Sequence, residues 1–338
     1  MKLSIGIVGL PNVGKSTLFK ALTKQDITIA NYPFATIDPN VGIVSVPDER
    51  LEKLNTMSKS KKKIPAVVEF YDIAGLVKGA NKGEGLGNQF LSHIRETQAV
   101  CIVLRVFQNP DIIHVENSVD AARDLEIINA ELILKDLEMV EKRYAKAEGE
   151  ARTGKKEALQ DKELVGRLRA ALEAGKLPVQ DEQLMHDLKT NPRMGDMNLL
   201  TLKRQIYLLN GTEADVTPAL VEKMKATGGD YLVADLSQST GVPELVKKAY
   251  ETLGLISFFT TGEDETRAWT IECGTKAPQA AGVIHTDFEN KFIRLEVVSY
   301  DKLVETGGWN QAKQKGALRV EGKDYEVKDG DVLVVRHG

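Results

Sequence analysis

The sequence predicts an α/β protein whose doubly wound, mostly parallel sheet is interrupted by an α-helical hairpin and followed by a second, smaller domain. Apolar runs alternate with helical stretches on both sides of the hairpin, which is the pattern of parallel strands connected by helices. The middle region instead repeats apolar residues at helical spacing, and the last part consists of short β-rich pieces. The 338 residues are enough for two or three domains.

The strands of the sheet are predicted at five apolar runs. The first run ends in a glycine-rich turn, and a helix is predicted to start close behind it, at Ser16 to Leu22. Apolar runs of this kind indicate strands that are buried in a parallel sheet. The runs are Leu3 to Leu10, Ala66 to Asp72, Ala99 to Phe107, Gln205 to Leu209 and Tyr231 to Ala234.

The region from about Arg123 to Gly195 predicts two antiparallel helices. We expect the loop between them in the polar stretch Glu148 to Lys156. Strands resume at Gln205, so the hairpin divides the sheet domain in two. The periodic apolar positions are Ile133, Leu137, Val140, Tyr144 and Ala147 in the first helix and Leu164, Leu168 and Ala171 in the second. Six cations around the tip suit rRNA phosphates or, as the alternative, form a solvated helix face: Lys142, Arg143, Lys146, Arg152, Lys155 and Lys156.

From about Gly254 the pattern predicts a separate small α+β domain. Gly and Asp turns, including Asp329-Gly330, separate four short β-rich pieces. These pieces are Phe258 to Thr261, Arg267 to Ile271, Phe292 to Ser299 and Val332 to Arg336.

The charge and the cysteines limit the function classes. A net charge of -4 excludes a protein that is basic as a whole, although a local patch can still bind RNA. The basic run Lys59 to Lys63 is predicted to be a solvated loop, with an RNA or phosphate contact as the alternative. Cys101 is expected in the core and Cys273 as a free thiol in a strand, which fits a reducing compartment. We expect neither a signal peptide nor a membrane span, because no long apolar segment is seen.

The glycine-rich turn after the first strand carries the strongest chemical signal. Gly9 to Ser16 satisfies G-x-x-x-x-G-K-[ST] in full, with a strand before it and a helix after it. The glycines let backbone N–H groups surround phosphates, and the helix N-terminus adds partial positive charge. We expect Lys15 to reach the β- and γ-phosphates and the Ser16 hydroxyl to bind Mg²⁺. The sequence therefore predicts a phosphate-binding loop, or P-loop.

Two further segments complete the predicted magnesium and γ-phosphate site. Asp72 ends a predicted strand in Asp72-Ile73-Ala74-Gly75, where its carboxylate can hold Mg²⁺ through a water and the Gly75 N–H can contact the γ-phosphate. Thr36 lies between the two motifs and can complete the metal shell, a loop threonine being the alternative. The many glycines that follow Gly75 indicate a switch segment.

Asn210-Gly211-Thr212-Glu213 follows a predicted strand at the place of the base-reading N-K-x-D of P-loop GTPases. Glu213 is one methylene longer than aspartate, so its carboxylate is displaced by about 1 Å and the preference should move away from guanine. The alternative is an ordinary turn.

A group that orients the attacking water is not evident beside Gly75. The next residue is Leu76, where Ras-like proteins have glutamine, and leucine cannot orient a water. Two histidines, His114 and His93, are candidates for this role. A structural role for either is the alternative.

These residues resemble the YchF or Obg-like ATPase family of translation-associated P-loop proteins, over essentially the whole chain. The matching segments are Gly9 to Thr17, Pro33 to Asn40, Asp72 to Ala80, Gly83 to Leu91, Ile112 to Val115, Arg267 to Ile271, Gly274 to Gly282 and Ile284 to Glu289.

The resemblance implies an Obg-type G domain at 1–122 and 198–252, a helical insertion at 123–197 and a TGS domain with a β-grasp fold at 253–336. It also implies an ATPase that hydrolyses ATP to ADP and phosphate at the ribosome. Separately, we expect a cytoplasmic monomer without a membrane partner. The resemblance favours His114 over His93 as the catalytic group, together with Lys15. The implied nucleotide-binding residues are Asn12, Val13, Gly14, Lys15, Ser16, Thr17, Gly75, Asn210, Gly211 and Glu213, and the implied Mg²⁺ ligands are Ser16, Thr36 and Asp72.

Two features leave alternatives open. Asn12 resembles the ion-binding asparagine of potassium-dependent P-loop GTPases, so a K⁺ ion is a further hypothesis. Asp235 to Pro243 is shorter than in the family, which puts the base-contacting loop near Leu236 and Ser237 in question. The alternative functions are an Obg-type GTPase and a slow nucleotide-gated RNA-binding module.

Overall fold

The computed structural model describes residues 4–23, 41–72, 94–112, 114, 118–238 and 241–338. Its strands are β1 Ser4–Val8, β2 Val41–Ser45, β3 Lys62–Ile64, β4 Val67–Asp72, β5 Ala99–Arg105, β6 Arg204–Asn210, β7 Asp230–Ala234, β8 Leu255–Thr261, β9 Glu265–Glu272, β10 Phe292–Ser299, β11 Arg319–Glu321 and β12 Asp331–His337. Its α-helices are α1 Lys15–Thr23, α2 Glu49–Ser58, α3 Ala121–Ala151, α4 Lys156–Glu173, α5 Glu182–Thr190, α6 Pro218–Ala226, α7 Val242–Thr252, α8 Ala277–Ile284, α9 Thr286–Asn290, α10 Tyr300–Thr306 and α11 Trp309–Gln314.

The first sheet has the strand order β2-β4-β1-β5-β6-β7. All neighbours are parallel except β2, which is antiparallel to β4. The five predicted strands correspond to β1, β4, β5, β6 and β7, so the predicted mostly parallel sheet is confirmed. Their carboxyl ends meet at one edge, where ligands bind in sheets of this type.

Helices cover both faces of this sheet, as a doubly wound fold requires. Leu18 of α1 and Leu245 of α7 belong to the core on one face. On the other face, Leu125 of α3 and Leu220 of α6 pack against β5 and β6. The central strands β1 and β5 are therefore buried at every position, whereas the edge strand β7 is partly exposed.

The helical hairpin consists of α3 and α4, which share a core of their own with the segment around α5. The predicted loop at Glu148 to Lys156 is too long: α3 continues to Ala151, and α4 begins at Lys156. Alanine and glutamate favour the helix, and a single glycine such as Gly149 costs only about 1 kcal/mol. Gly154 lies in the turn with a φ angle of 70°, a backbone conformation that is unfavourable for residues other than glycine. α3 also crosses the predicted boundary at residue 123, since its first turns pack on the sheet.

The C-terminal part forms a second sheet with the order β11-β10-β12-β8-β9-β3. Its central pair, β8 and β12, is parallel, and β9, β10 and β11 add to it in antiparallel fashion. The helix α8 packs on β9 and β10. This strand order and these directions are those of a β-grasp sheet, so the predicted α+β unit is confirmed.

The last strand of the second sheet comes from the first part of the chain. β3 pairs in parallel with β9, with Lys62 opposite Glu265 and Ile64 opposite Arg267. The expectation that Lys59 to Lys63 is a loop is therefore wrong in part, because the backbone of its last two residues is paired while their side chains remain exposed. Phe259 joins the core beneath the first sheet, so one continuous core connects the two sheets.

Cys101 is fully buried, as predicted, and burial raises the pKa of its thiol to about 12. Cys273 is exposed. Among the helices that the structure describes, none is long and apolar enough to cross a membrane.

Candidate nucleotide-binding site

The P-loop lies between β1 and α1, at the carboxyl edge of the first sheet. Asn12 and Gly14 have positive φ angles, 63° and 110°, which turn the backbone around the helix N-terminus. The Lys15 Nζ atom donates to the carbonyl oxygen of Leu10 at 2.6 Å, so the lysine bridges the loop. Ser16 and Thr17 are exposed in the first turn of α1. The loop thus has the form that backbone N–H groups need to surround phosphates.

Two glycines allow the loop to pack closely on its neighbours. A Cβ atom on Gly9 would lie 2.6 Å from the carbonyl oxygen of Val103 in β5. A Cβ atom on Gly14 would lie 2.4 Å from the Asn210 Nδ2 atom. Any side chain at these positions would push the loop away from β5 and β6.

Asn210, the last residue of β6, ties the site together. Its Nδ2 group donates to the carbonyl oxygen of Val13 at 2.9 Å, and its Oδ1 atom accepts from the Leu236 N–H at 3.2 Å. The side chain is buried. One amide therefore fixes the P-loop and the segment after β7 in a single arrangement.

The residues after Asn210 explain part of the departure from N-K-x-D. A Cβ atom on Gly211 would lie 2.6 Å from Val106 Cγ2, and the φ angle of 151° disfavours other residues, so a lysine does not fit here. Glu213 is exposed and begins a short 3₁₀ turn. Its carboxylate is therefore free to face a base at this edge of the sheet.

Residues 235–238, which follow β7, are held by hydrogen bonds of their own. The Ser237 N–H and hydroxyl donate to Asp235 Oδ1 at 2.9 and 2.6 Å, and these bonds lower the pKa of Asp235. Leu236 is buried beside Gly14. These residues connect to the P-loop through Asn210, which accepts from the Leu236 N–H and donates to the Val13 carbonyl oxygen.

Two predicted magnesium ligands, Asp72 and Ser16, lie on backbone segments at the same edge of the sheet. Asp72 ends β4 and is in register with Ile7 of β1, while Ser16 follows Lys15 in the first turn of the helix after β1. Hydroxyl and carboxylate oxygens are the hard donors that Mg²⁺ prefers, so this pair fits the ion. Thr36 and Gly75 lie outside the described residues. In the described part of the chain, no cluster of three His, Cys, Asp or Glu side chains could hold a metal alone.

His114 lies in the segment between β5 and α3, and it is buried rather than open to the nucleotide edge. Its Nε2 atom is 2.8 Å from Asp124 Oδ2, in the first turns of α3. The Asp124 side chain is fully buried. Leu76 and His93 lie outside the described residues.

Sequence reasoning missed two charged residues of this region. Arg105, the last residue of β5, is fully buried, and its guanidinium donates to the carbonyls of Phe107, Asn109 and Ile112 at 3.0 to 3.1 Å. The signal for Arg105 is a single charge inside the apolar run Ala99 to Phe107. Asp124 gives no comparable signal, because an acidic residue early in a helix is common on solvated surfaces.

The hairpin tip presents most of its predicted cations to solvent. Lys142, Lys146, Arg152, Lys155 and Lys156 are exposed. Arg143 differs, since it is half-buried and contacts Glu150 at 3.3 Å and Asp161 at 3.6 Å. Arg143 therefore stabilises the hairpin instead of extending from it.

Two protein-family models match the chain. Residues 4–140 match MMR_HSR1, described as a 50S ribosome-binding GTPase. Residues 255–338 match YchF-GTPase_C, described as a protein of unknown function (DUF933).

Similar proteins cover nearly the full chain. A Bacillus subtilis (strain 168) protein named ribosome-binding ATPase YchF is 44% identical over 366 residues, which is 99% of each chain. An Escherichia coli O157:H7 protein of the same name is 44% identical over 361 residues, 98% of each chain. The solved structure of the Schizosaccharomyces pombe YchF GTPase superposes with a TM-score of 0.86 at 36% identity, covering 99% of this chain and 98% of that one. Both alignments are longer than the 338-residue chain, so these relatives contain residues without a counterpart here.

Proposed function

The chain belongs to the YchF family, and we propose that it is a ribosome-associated P-loop ATPase that hydrolyses ATP to ADP and phosphate as a switch in translation. The observation that carries this proposal is the P-loop, held in a phosphate-binding form by Lys15 and by the Asn210 amide. The names of its relatives support the ribosome and ATP as partners. We further propose a cytoplasmic monomer.

The proposed roles follow from the chemistry of each residue. Lys15 and the N–H groups of residues 12–17 bind and orient the phosphates. Ser16 and Asp72, with Thr36, would hold Mg²⁺, which neutralises charge on the β- and γ-phosphates when it is bound. Gly75 would contact the γ-phosphate through its N–H.

ATP preference rests on the residues that follow β6. Gly211 stands where GTPases have a lysine that packs along the base, and no side chain fits at this position. Glu213 stands where GTPases have the guanine-reading aspartate, and its side chain is longer by one methylene. The opposing candidate is an Obg-type GTPase, which the description of the Schizosaccharomyces pombe structure favours. Dissociation constants for Mg-ATP and Mg-GTP distinguish the two candidates. If GTP bound more than about tenfold tighter than ATP, a difference of roughly 1.4 kcal/mol, the ATP assignment would be wrong.

Hydrolysis separates the ATPase from a nucleotide-gated RNA-binding module. We expect slow single-turnover hydrolysis of ATP alone and faster hydrolysis with ribosomes. Lys15→Ala, which removes the phosphate-binding cation, should abolish turnover in both conditions. Turnover that is absent even with ribosomes, in a chain that still binds ATP, would favour the RNA-binding module.

We propose His114 as the catalytic substitute for the missing glutamine, because imidazole can orient a water or stabilise charge near neutral pH. His114→Ala should leave ATP affinity nearly intact and lower turnover by about tenfold or more. Equal turnover in the variant and the wild type would leave His93 or a ribosomal group as the candidate.

A second cation is a further proposal. Asn12, exposed at φ 63° in the P-loop, could bind K⁺ beside the phosphates and spread charge as an arginine finger does. Single-turnover rates in potassium and sodium buffers of equal ionic strength test this, and equal rates would remove K⁺ from the mechanism.

The domain assignment is also part of the proposal. We assign residues 1–122 and 198–252 to the G domain, 123–197 to the helical insertion and 253–336 to a TGS domain. The β-grasp strand order of the second sheet supports the last of these.

A further inference from the structure

We infer that Asp124 is a positioning residue that latches His114 in a buried position, so that the first turns of α3 control when the histidine can reach the nucleotide. This inference rests on the proposed catalytic role of His114. Its starting point is the 2.8 Å contact between His114 Nε2 and Asp124 Oδ2.

Burial makes the latch specific. The His114 side chain is 3% exposed and the Asp124 side chain 0% exposed, so neither group can exchange its partner for bulk water while the contact lasts. Hydrogen bonds with a charged partner are the stronger ones, and in a low-dielectric environment they are stronger still. A histidine held in this way is sequestered from a water-filled nucleotide site.

The flanking chain keeps the histidine in place. At the start of the segment, Arg105 binds three carbonyls between Phe107 and Ile112. At its end, Arg123 donates to Ser118, and Asp120 caps α3 through the N–H groups of Ala122 and Arg123. Both ends of the segment are therefore fixed to the sheet and to α3.

The latch connects the nucleotide edge of the sheet with the helical hairpin. The helix α3 is 31 residues long and extends from the turn that contains Asp124 to the hairpin tip with its exposed cations. Arg105, in register with Asn210, lies at the nucleotide edge of the sheet. A movement of α3 at its root therefore changes the contact between Asp124 and His114.

The kinetic test uses Asp124→Asn, which keeps the shape of the side chain and removes its charge. Because the neutral bond is weaker, we expect basal kcat for ATP to rise about three- to tenfold with KM nearly unchanged. The matched control is Asp136→Asn, a fully buried carboxylate of the same helix that binds Arg95 and Thr201 instead. It should lower stability and leave basal kcat unchanged. The double variant His114→Ala/Asp124→Asn should fall to the rate of His114→Ala.

Each outcome decides a different claim. If His114→Ala turns over ATP like the wild type, the catalytic proposal fails and the latch fails with it. If His114→Ala is slow but Asp124→Asn is unchanged or slower, the latch alone is overturned. An equal rise in the Asp136→Asn control would assign the effect to general loosening of α3, and it would also overturn the latch.

A chemical probe tests the latch without relying on turnover. Diethyl pyrocarbonate modifies accessible imidazoles, so mass spectrometry should find His114 protected in the wild type, with the exposed His186, His285 and His337 as internal references. We expect faster modification of His114 in Asp124→Asn, and in the wild type with a non-hydrolysable ATP analogue and Mg²⁺. The latch is wrong if His114 reacts as fast as His186 in the free wild type, or stays protected with the analogue.

Discussion

The Asn210 side chain donates a hydrogen bond to the carbonyl oxygen of Val13 at 2.9 Å, although the two residues are 197 positions apart in the chain. The same amide accepts from the Leu236 N–H. Because three segments meet at this one group, it determines the shape of the site before any base contact is made. A residue that looks like part of base recognition is therefore first a structural support of the P-loop.

Replacing Asn210 with alanine should weaken ATP and GTP binding alike. The change leaves the Val13 carbonyl and the Leu236 N–H without their partner, and each lost bond of this kind costs about 1 kcal/mol. We expect both dissociation constants to rise by about tenfold, measured by titration of fluorescent nucleotides with Mg²⁺. A change in the ATP-to-GTP ratio alone would show that Asn210 acts through the base.

Replacing Glu213 with aspartate should change that ratio and leave the overall affinity similar. The shorter carboxylate returns toward the position that accepts from guanine N1–H and N2–H₂, so GTP binding should tighten relative to ATP. Glu222→Asp, which makes the same change at an exposed site on α6, is the control. Identical ratios in the Glu213 variant and the wild type would exclude a role of Glu213 in base choice.

The exposed cations of the hairpin tip should contribute to ribosome binding. Lys155→Glu/Lys156→Glu should weaken co-sedimentation with ribosomes about tenfold or more at low salt and should reduce its salt dependence, because phosphate contacts release counterions. Lys225→Glu/Lys247→Glu makes the same charge change on exposed residues of the sheet domain. If both pairs pellet equally, the contact lies elsewhere. Arg143 should be left intact, since its ion pairs belong to the hairpin.

The connection between the two sheets should be sensitive to Arg50. This residue of α2 binds Asp329 at 2.6 Å, and its guanidinium lies 5.1 Å from the centre of the Phe259 ring. Since the pair is partly exposed, Arg50→Ala should cost about 1–2 kcal/mol of unfolding free energy. Thermal unfolding measures the loss. Lys61→Ala, which breaks the fully solvated pair with Asp264, should change stability by less than about 0.5 kcal/mol.

Much of the fold could be predicted because buried parallel strands are continuous apolar runs. β2 and β3 are not continuous buried runs: β2 is an edge strand in which buried and half-buried residues alternate, and β3 is short and rich in lysine. The pairing of β3 with Glu265 to Arg267 depends on residues about 200 positions away, which no local pattern reveals.

The candidate site shows the same limit. The P-loop could be predicted because its spacing is dictated by phosphate binding within one segment. The contacts of Asn210 with Val13 and of His114 with Asp124 could not, because residue type alone does not say which distant group fills a hydrogen-bonding site.

The acid stability of the hairpin should depend on Asp161. Its carboxylate, nearly fully buried in α4, accepts from Asn191 at 2.8 Å and Arg193 at 2.7 Å. Burial alone would raise the pKa of Asp161, but the hydrogen bonds from Asn191 and Arg193 and the charges of Arg193 and Arg143 lower it below its ordinary value. Because the folded pKa is the lower one, this carboxylate stabilises the hairpin fully above about pH 4 and loses its effect as the pH falls through the folded pKa.

Asp161→Asn should therefore destabilise the hairpin by about 2–3 kcal/mol at pH 7, since a neutral amide at this buried position pairs poorly with Asn191 and Arg193. The difference from the wild type should shrink in strong acid, where the native carboxyl is also neutral. Hydrogen exchange of the α4 amides, measured from pH 7 down to pH 3 and corrected for intrinsic rates, reports both quantities. Asp187→Asn, which breaks the more exposed pair with Arg167, is the control and should have the smaller effect. A destabilisation by Asp161→Asn that stays constant down to the lowest pH would show that the shape of the side chain, and not its charge, holds the hairpin together.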